Sequence, residues 1–165
     1  MKIIFLDHDG VICLPHNWGS RYKNQLGFDD LDKSAVKILN EVLNQTNAEI
    51  VISSDWRVLS DDIELGYHYS KFKVNKLPYA FTPDLLNNFP DLTKEQLRIM
   101  EIQNWLEIHP RITHWVAIDD LFLGRKNEET GEIIHLNGLS NFVQTNKNLG
   151  LKEKGLKNKI LDYLM

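Results

Sequence analysis

Asp7 and Asp9 stand one residue apart at the end of the apolar run Ile3-Ile4-Phe5-Leu6, in "MKIIFLDHDGV". Two carboxylates so close repel each other unless a cation or a bound substrate group relieves the charge. The same pattern recurs twice. "EIVIS" stops on Ser53 and Ser54, and "HWVAID" stops on Asp119 and Asp120. An Asp-x-Asp, a Ser-Ser or an Asp-Asp is weak alone, because loops, turns and helix caps are rich in all three. Their value lies in the shared context. Four carboxylates and two hydroxyls at the ends of apolar runs suit a hard divalent cation such as Mg²⁺, which takes oxygen ligands.

Positioning such residues requires strands whose ends meet. Lys2 to Asp7, "AEIVIS" and "THWVAID" read as strands, with a short one in "KLPYAFTP" and two more in "GEIIHL" and "NFVQT". A helix is expected near Asp32 to Gln45, where Ala35, Val36, Leu39, Val42 and Leu43 recur at helical spacing. A short helix is expected in "SDWRVLSDDIEL", and a long one from Thr93 to His109-Pro110. Thr93 with Gln96 three residues on has the pattern of a capping box. Lys152 to Leu164 reads as a closing helix. Strands alternating with helices imply a three-layer α/β domain with a mostly parallel sheet, whose carboxyl-end edge is where ligands bind.

The 165 residues suit one domain spanning residues 1–165, and 42% hydrophobic with 25% charged residues is ordinary for a globular chain. No apolar run reaches the roughly 20 residues of a membrane span, and the N-terminus lacks the features of a signal peptide. Cys13 is the only cysteine, which excludes a disulfide framework and a cysteine-rich zinc site. A cytoplasmic, intracellular setting is expected. The net charge of −4 argues against coating nucleic acid through the overall field. Lysines do cluster at Lys71, Lys73 and Lys76 and from Lys147 to Lys159, where solvated faces are the ordinary explanation.

With these residues in view, the chain resembles the haloacid dehalogenase (HAD) superfamily of phosphatases, through "FLDHDGV", "IVISSDWR" and "VAIDD" in that order. A closer likeness is to the small HAD domains of RNA-repair (Swiss Army Knife) proteins, through "SSDWR", "LRIMEIQNWL" and, more weakly, "NLGLKEKGL". The resemblance implies a Rossmann-like, HAD-like fold and an aspartyl-phosphate mechanism. In it Asp7 is the nucleophile and Asp9 the general acid and base. Mg²⁺ would bind Asp7, the main-chain carbonyl of Asp9 and the Asp119–Asp120 pair, with Asp119 the preferred direct ligand. Ser53 or Ser54 would hydrogen-bond the phosphoryl group, Ser53 being preferred. The family's usual lysine is replaced by Arg98, with Lys94 one turn earlier as the rival, and Arg57 is a second candidate phosphate clamp. His8 departs from the usual aliphatic residue and is read as structural.

Asp9 favours phosphoester cleavage, since dehalogenases lack this second acid. A response-regulator receiver is disfavoured, because it places its phosphoacceptor two strands after its opening acids. The gaps between motifs hold no substantial cap domain, so an open site and a macromolecular substrate are expected. The acidic chain leans towards a phosphoprotein, with phosphotyrosine one form, and Trp18, Tyr22, Trp56 and Tyr79 are aromatic candidates for its walls. A polynucleotide 3′- or 5′-end phosphatase is the alternative that the family likeness offers. A catalytically impaired phosphate-binding module is the other.

Overall fold

The computed structural model describes residues 1–165. Five parallel strands form one sheet: β1 (Lys2–Leu6), β2 (Glu49–Ile52), β3 (Pro78–Phe81), β4 (His114–Asp119) and β5 (Phe142–Gln144). Their order is β3-β2-β1-β4-β5. The chain winds outward from β1 in both directions, so the topological switch lies beside β1, where α/β sheets open a crevice at their carboxyl ends.

Alternate side chains of β1 enter two separate cores, as the period of two requires. Ile4 and Leu6 join the larger core with Ile50, Ile52, Val116 and Ile118. Its cover comes from α2 (Lys33–Thr46), α3 (Asp62–Lys71) and α5 (Leu156–Leu164), through Leu39, Val42, Leu65, Tyr69 and Ile160. Ile3 and Phe5 face the other way, against Ile99, Ile102 and Trp105 of α4 (Lys94–Glu107). Burial on both faces explains why the strands read as unbroken apolar runs.

The expected helix starts are present. Asp32 Oδ2 accepts from the Ala35 N–H at 2.8 Å. Thr93 and Gln96 bond reciprocally, with Thr93 Oγ1 accepting at 3.2 Å and Gln96 Oε1 at 3.0 Å. Four segments differ from the sequence reading, and the first, "SDWRVLSDDIEL", holds a 3₁₀ turn at Asp55–Val58 and the first turn of α3 in place of one short helix. The loop containing "PHNWGS" holds a 3₁₀ turn at Pro15–Asn17 and the short α1 (Ser20–Asn24). The closing helix begins at Leu156, because Gly155 sits at φ +89° and breaks the run from Lys152. "GEIIHL" is no strand. Ile133, Ile134 and Leu136 are exposed, and the segment's one strand-like pairing is an isolated bridge between Lys126 and Ile133.

The turn at Gly150 braces the loop that follows β1. Gly150 has φ +55°, and a Cβ there would lie 2.2 Å from the Val11 carbonyl oxygen, which also accepts the Leu151 N–H at 3.0 Å. Gly150→Ala is expected to cost about 1–3 kcal/mol, because both the backbone conformation and the close approach are lost. Urea unfolding of the two proteins measures it.

Candidate active site

The carboxyl ends of β1, β2 and β4 deliver their polar residues to one place. Carboxylate oxygens of Asp7, Asp119 and Asp120 all lie within 4.8 Å of one another. Asp7 and Asp119 are buried, while Asp120 opens partly to solvent and accepts no hydrogen bond from a protein donor through its carboxylate. Close packing of the two loops makes this possible. Gly10 adopts φ +79°, and a Cβ there would lie 2.7 Å from Asp120 Oδ2. Behind it, Thr145 Oγ1 donates to the Gly10 carbonyl at 2.7 Å, and the Thr145 N–H donates to the Asp119 carbonyl at 3.0 Å.

Arg98 is the counter-charge. It projects from α4 with its guanidinium almost wholly buried. Nη1 lies 2.6 Å from Asp119 Oδ2 and 3.4 Å from Asp7 Oδ1, and Nη2 lies 3.2 Å from Asp55 Oδ1. Lys94, one turn earlier, is mostly exposed and pairs with Asp55 at 2.8 Å instead. Of the two rivals, Arg98 is the one in contact with the acid cluster. Burial works against its charge, but Asp119, Asp7 and Asp55 outweigh that and push its pKa above the ordinary value.

The acids respond in the opposite sense. Burial, then the nearby Asp119, raises Asp7 well above the usual carboxylate range, with Arg98 and the His8 N–H opposing. Burial lifts Asp119 to about 6 despite Arg98 and the Leu121 N–H. A hard cation would relieve this excess of negative charge, and all the donors are oxygens, so the site fits Mg²⁺.

The two serines divide their roles. Ser54 Oγ caps the following 3₁₀ turn, Asp55–Val58, by accepting the Trp56 N–H at 3.1 Å. Ser53 extends β2, its N–H donating to the Leu6 carbonyl at 3.0 Å. Its hydroxyl is buried without any partner.

Arg57 is placed differently from the phosphate clamp expected of it. Nη2 lies 2.7 Å from the buried Glu101 Oε2 of α4, and Nη1 donates to the Ser54 carbonyl at 2.9 Å. Glu101 also accepts the Leu85 N–H at 2.9 Å. The pair straps the turn after β2 to α4, a role that the sequence motif does not reveal.

Of the aromatic candidates, Trp56 reaches the site. Tyr79 lies beside Met1 and Pro110 at the opposite edge of the sheet, lining a cavity there. Trp18 and Tyr22 are exposed on the loop that follows β1. His8 is buried against the Trp56 ring, its Nε2 2.7 Å from the Tyr69 hydroxyl, and burial lowers its pKa to about 3. It is a neutral, structural histidine at physiological pH. Asp55 and Tyr69 carry no signal in the sequence: Asp55 lies inside "SSDWR", but nothing in its spacing marks it as Arg98's partner.

The all-parallel α/β sheet with its polar residues gathered at the carboxyl edge is a Rossmann-like architecture. The family described as the HAD domain in Swiss Army Knife RNA repair proteins matches residues 3–156, and the chain belongs to that family. No curated protein and no solved structure matches the chain. No helix is long and apolar enough to cross a membrane.

Two outcomes follow. Because Asp7, Asp9 and Asp119 bind protons more tightly folded than unfolded, their contribution to stability is lost as pH rises from the ordinary value of 3.8 through about 6 and beyond. His8 and His68, lowered by burial, act oppositely up to their ordinary value of 6.5. In EDTA, Asp7→Asn should gain melting temperature relative to the parent protein as pH rises above the ordinary carboxylate value of 3.8, because the variant has no raised Asp7 proton to lose. Arg57→Met leaves Glu101 buried and uncompensated, and should cost about 3–5 kcal/mol in urea unfolding.

Proposed function

We propose that this protein is a Mg²⁺-dependent phosphomonoesterase that works through an aspartyl-phosphate on Asp7, with the phosphorylated end of a polynucleotide as its substrate. The observation that carries the reading is the convergence of Asp7, Asp119, Asp120, Arg98 and the unpartnered Ser53 hydroxyl on one sheet edge.

Asp7 attacks phosphorus, and Asp9 gives a proton to the departing ester oxygen. Asp9 then takes a proton from the water that hydrolyses the acyl phosphate. The Ser53 hydroxyl and the His8–Asp9 main chain receive the phosphoryl oxygens. Arg98 lowers the cost of keeping Asp7 ionised and meets the incoming dianion with a forked donor. Asp7, Asp119, Asp120 and the Asp9 carbonyl would hold Mg²⁺, which supplies positive charge where a phosphate must approach several acids. Asp119 has both oxygens engaged, by Arg98 and by the Leu121 N–H at 2.9 Å, whereas Asp120 offers unengaged ones. That makes Asp120 the better direct ligand and Asp119 the link between the ion and Arg98.

Arg98 also weighs against the reading of an impaired module. The place of the family lysine is filled by a permanent cation touching both Asp7 and Asp119. For the substrate, the family's description favours nucleic-acid ends over a phosphoprotein. Of the clustered lysines, Lys76, Lys152 and Lys157 are taken up by Glu49, Asp32 and Glu41. No inserted domain covers the site: residues 10–32 hold one 3₁₀ turn and α1.

Phosphate release from p-nitrophenyl phosphate, from 3′- and 5′-phosphorylated oligonucleotides and from phosphotyrosine peptides tests the proposal. Turnover should need Mg²⁺, stop in EDTA, and fall by at least about 10³-fold in Asp7→Asn, since the nucleophile is lost. Oligonucleotides should give the highest kcat/KM. Preference for phosphopeptides would overturn the substrate, and activity retained by Asp7→Asn would overturn the mechanism.

A further inference from the structure

The Asp9 side chain stands apart from the acid cluster. It opens to solvent on one side, yet its Oδ2 accepts a hydrogen bond from the Trp56 indole Nε1–H at 3.2 Å. A solvent-facing aspartate ordinarily samples several rotamers. A general acid that must meet one leaving oxygen cannot afford that freedom, because misplacement by about 1 Å costs up to about 10²-fold in rate.

The indole itself is immobile. Trp56 is 3% exposed, with its ring stacked on His8 at 4.3 Å and 8° and on Phe28 at 5.2 Å and 18°. His8 is anchored in turn by Tyr69 of α3, and the Trp56 backbone by Ser54. A Trp nitrogen can only donate, so its N–H must end on an acceptor, and the stack aims it at Asp9. In a protonated carboxyl the carbonyl oxygen is the better acceptor. Donation to Oδ2 therefore leaves the transferable proton on Oδ1.

We propose that Trp56 is a positioning residue for Asp9: its indole N–H, held by the His8–Trp56–Phe28 stack, orients the carboxyl towards the leaving oxygen. This role rests on the phosphatase reading above. Trp56 touches no reacting atom and acts only through Asp9. It also explains a histidine where an aliphatic residue is usual, since the flat, neutral ring of His8 forms one wall of the slot.

Trp56→Phe keeps an aromatic plane in the stack and removes only the N–H. The informative quantity is kcat/KM, which reports departure of the leaving group, on an alkyl phosphate and on p-nitrophenyl phosphate. An alkoxide needs the acid's proton, whereas p-nitrophenolate leaves without it. The variant should lose about tenfold on the alkyl ester and about twofold on the aryl ester. A generally loosened core would lower both alike. Trp105→Phe, in the opposite core, serves as the comparison and should show no such split.

A second readout is independent of turnover. In nitrogen–proton spectra of the full chain, the indole resonance of Trp56 should move in Asp9→Ala, while those of Trp18, Trp105 and Trp115 stay. An unmoved Trp56 resonance, or equal losses on the two esters, would overturn the positioning role and leave the hydrolase intact. Wild-type protein that hydrolyses neither ester with Mg²⁺, nor any phosphorylated oligonucleotide, would instead remove the phosphatase reading and the role with it.

Discussion

The structure depends on one electrostatic balance: buried carboxylates at the carboxyl edge of the sheet, answered within the protein by a single buried guanidinium. Asp7 and Asp119 cannot both ionise cheaply in so dry a place. Arg98 touches both, and a deep arginine keeps its charge where a lysine would surrender it more readily. The carboxylate oxygens of Asp7, Asp119 and Asp120 lie within 4.8 Å of one another, an arrangement that could hold a cation. The crowding of like charge is itself electrostatically costly. Functional sites commonly store instability of this kind.

Other features of the fold serve to hold this balance in place. Burial on both faces makes β1 the central strand, so Asp7 and Asp9 emerge where the strand order reverses. Gly10 allows the two acidic loops to touch, and Thr145 ties the loop after β1 to the end of β4 and β5. The helix bearing Arg98 is set by the smaller core, where Trp105 packs edge-on to Phe5 at 5.4 Å. Chemistry and packing meet on adjacent residues of α4, since Arg98 is followed directly by the core residue Ile99.

Much of this was legible in the sequence because it is periodic. The apolar runs of β1, β2 and β4 announce strands buried on both faces, and each terminal acid or serine marks an edge. The cap at Thr93 reads correctly because side-chain capping is local chemistry. "GEIIHL" misleads for a reason. Its apolar residues lie between Gly131 and Gly138, beyond the reach of the sheet, and form a loose wall beside Leu92 and Met100. Composition records the residues but not whether an edge is free to pair with them. Ser53 and Ser54 differ by one residue of register, which hydrophobicity cannot separate; in the fold the Ser53 N–H bonds the Leu6 carbonyl, and Ser54 Oγ caps the next turn. The partners of Asp55, Arg57 and Asp9 were hidden because each lies across the fold in space.

Glu101 has a wider implication. Its carboxylate serves the turn after β2 through Arg57 and the segment after β3 through the Leu85 N–H. Three stretches of chain therefore share one anchor, and none can drift independently through evolutionary time. A lineage that changed Glu101 would have to replace Arg57 in step, with the intermediate genotype carrying a lone buried charge. The two positions should vary as a pair or hardly at all, and the distance from Ser53 to Arg98 inherits that conservatism. Sequence change should be better tolerated in the loop carrying the exposed Trp18 and Tyr22 than around Ser53 and Arg98, which are buried.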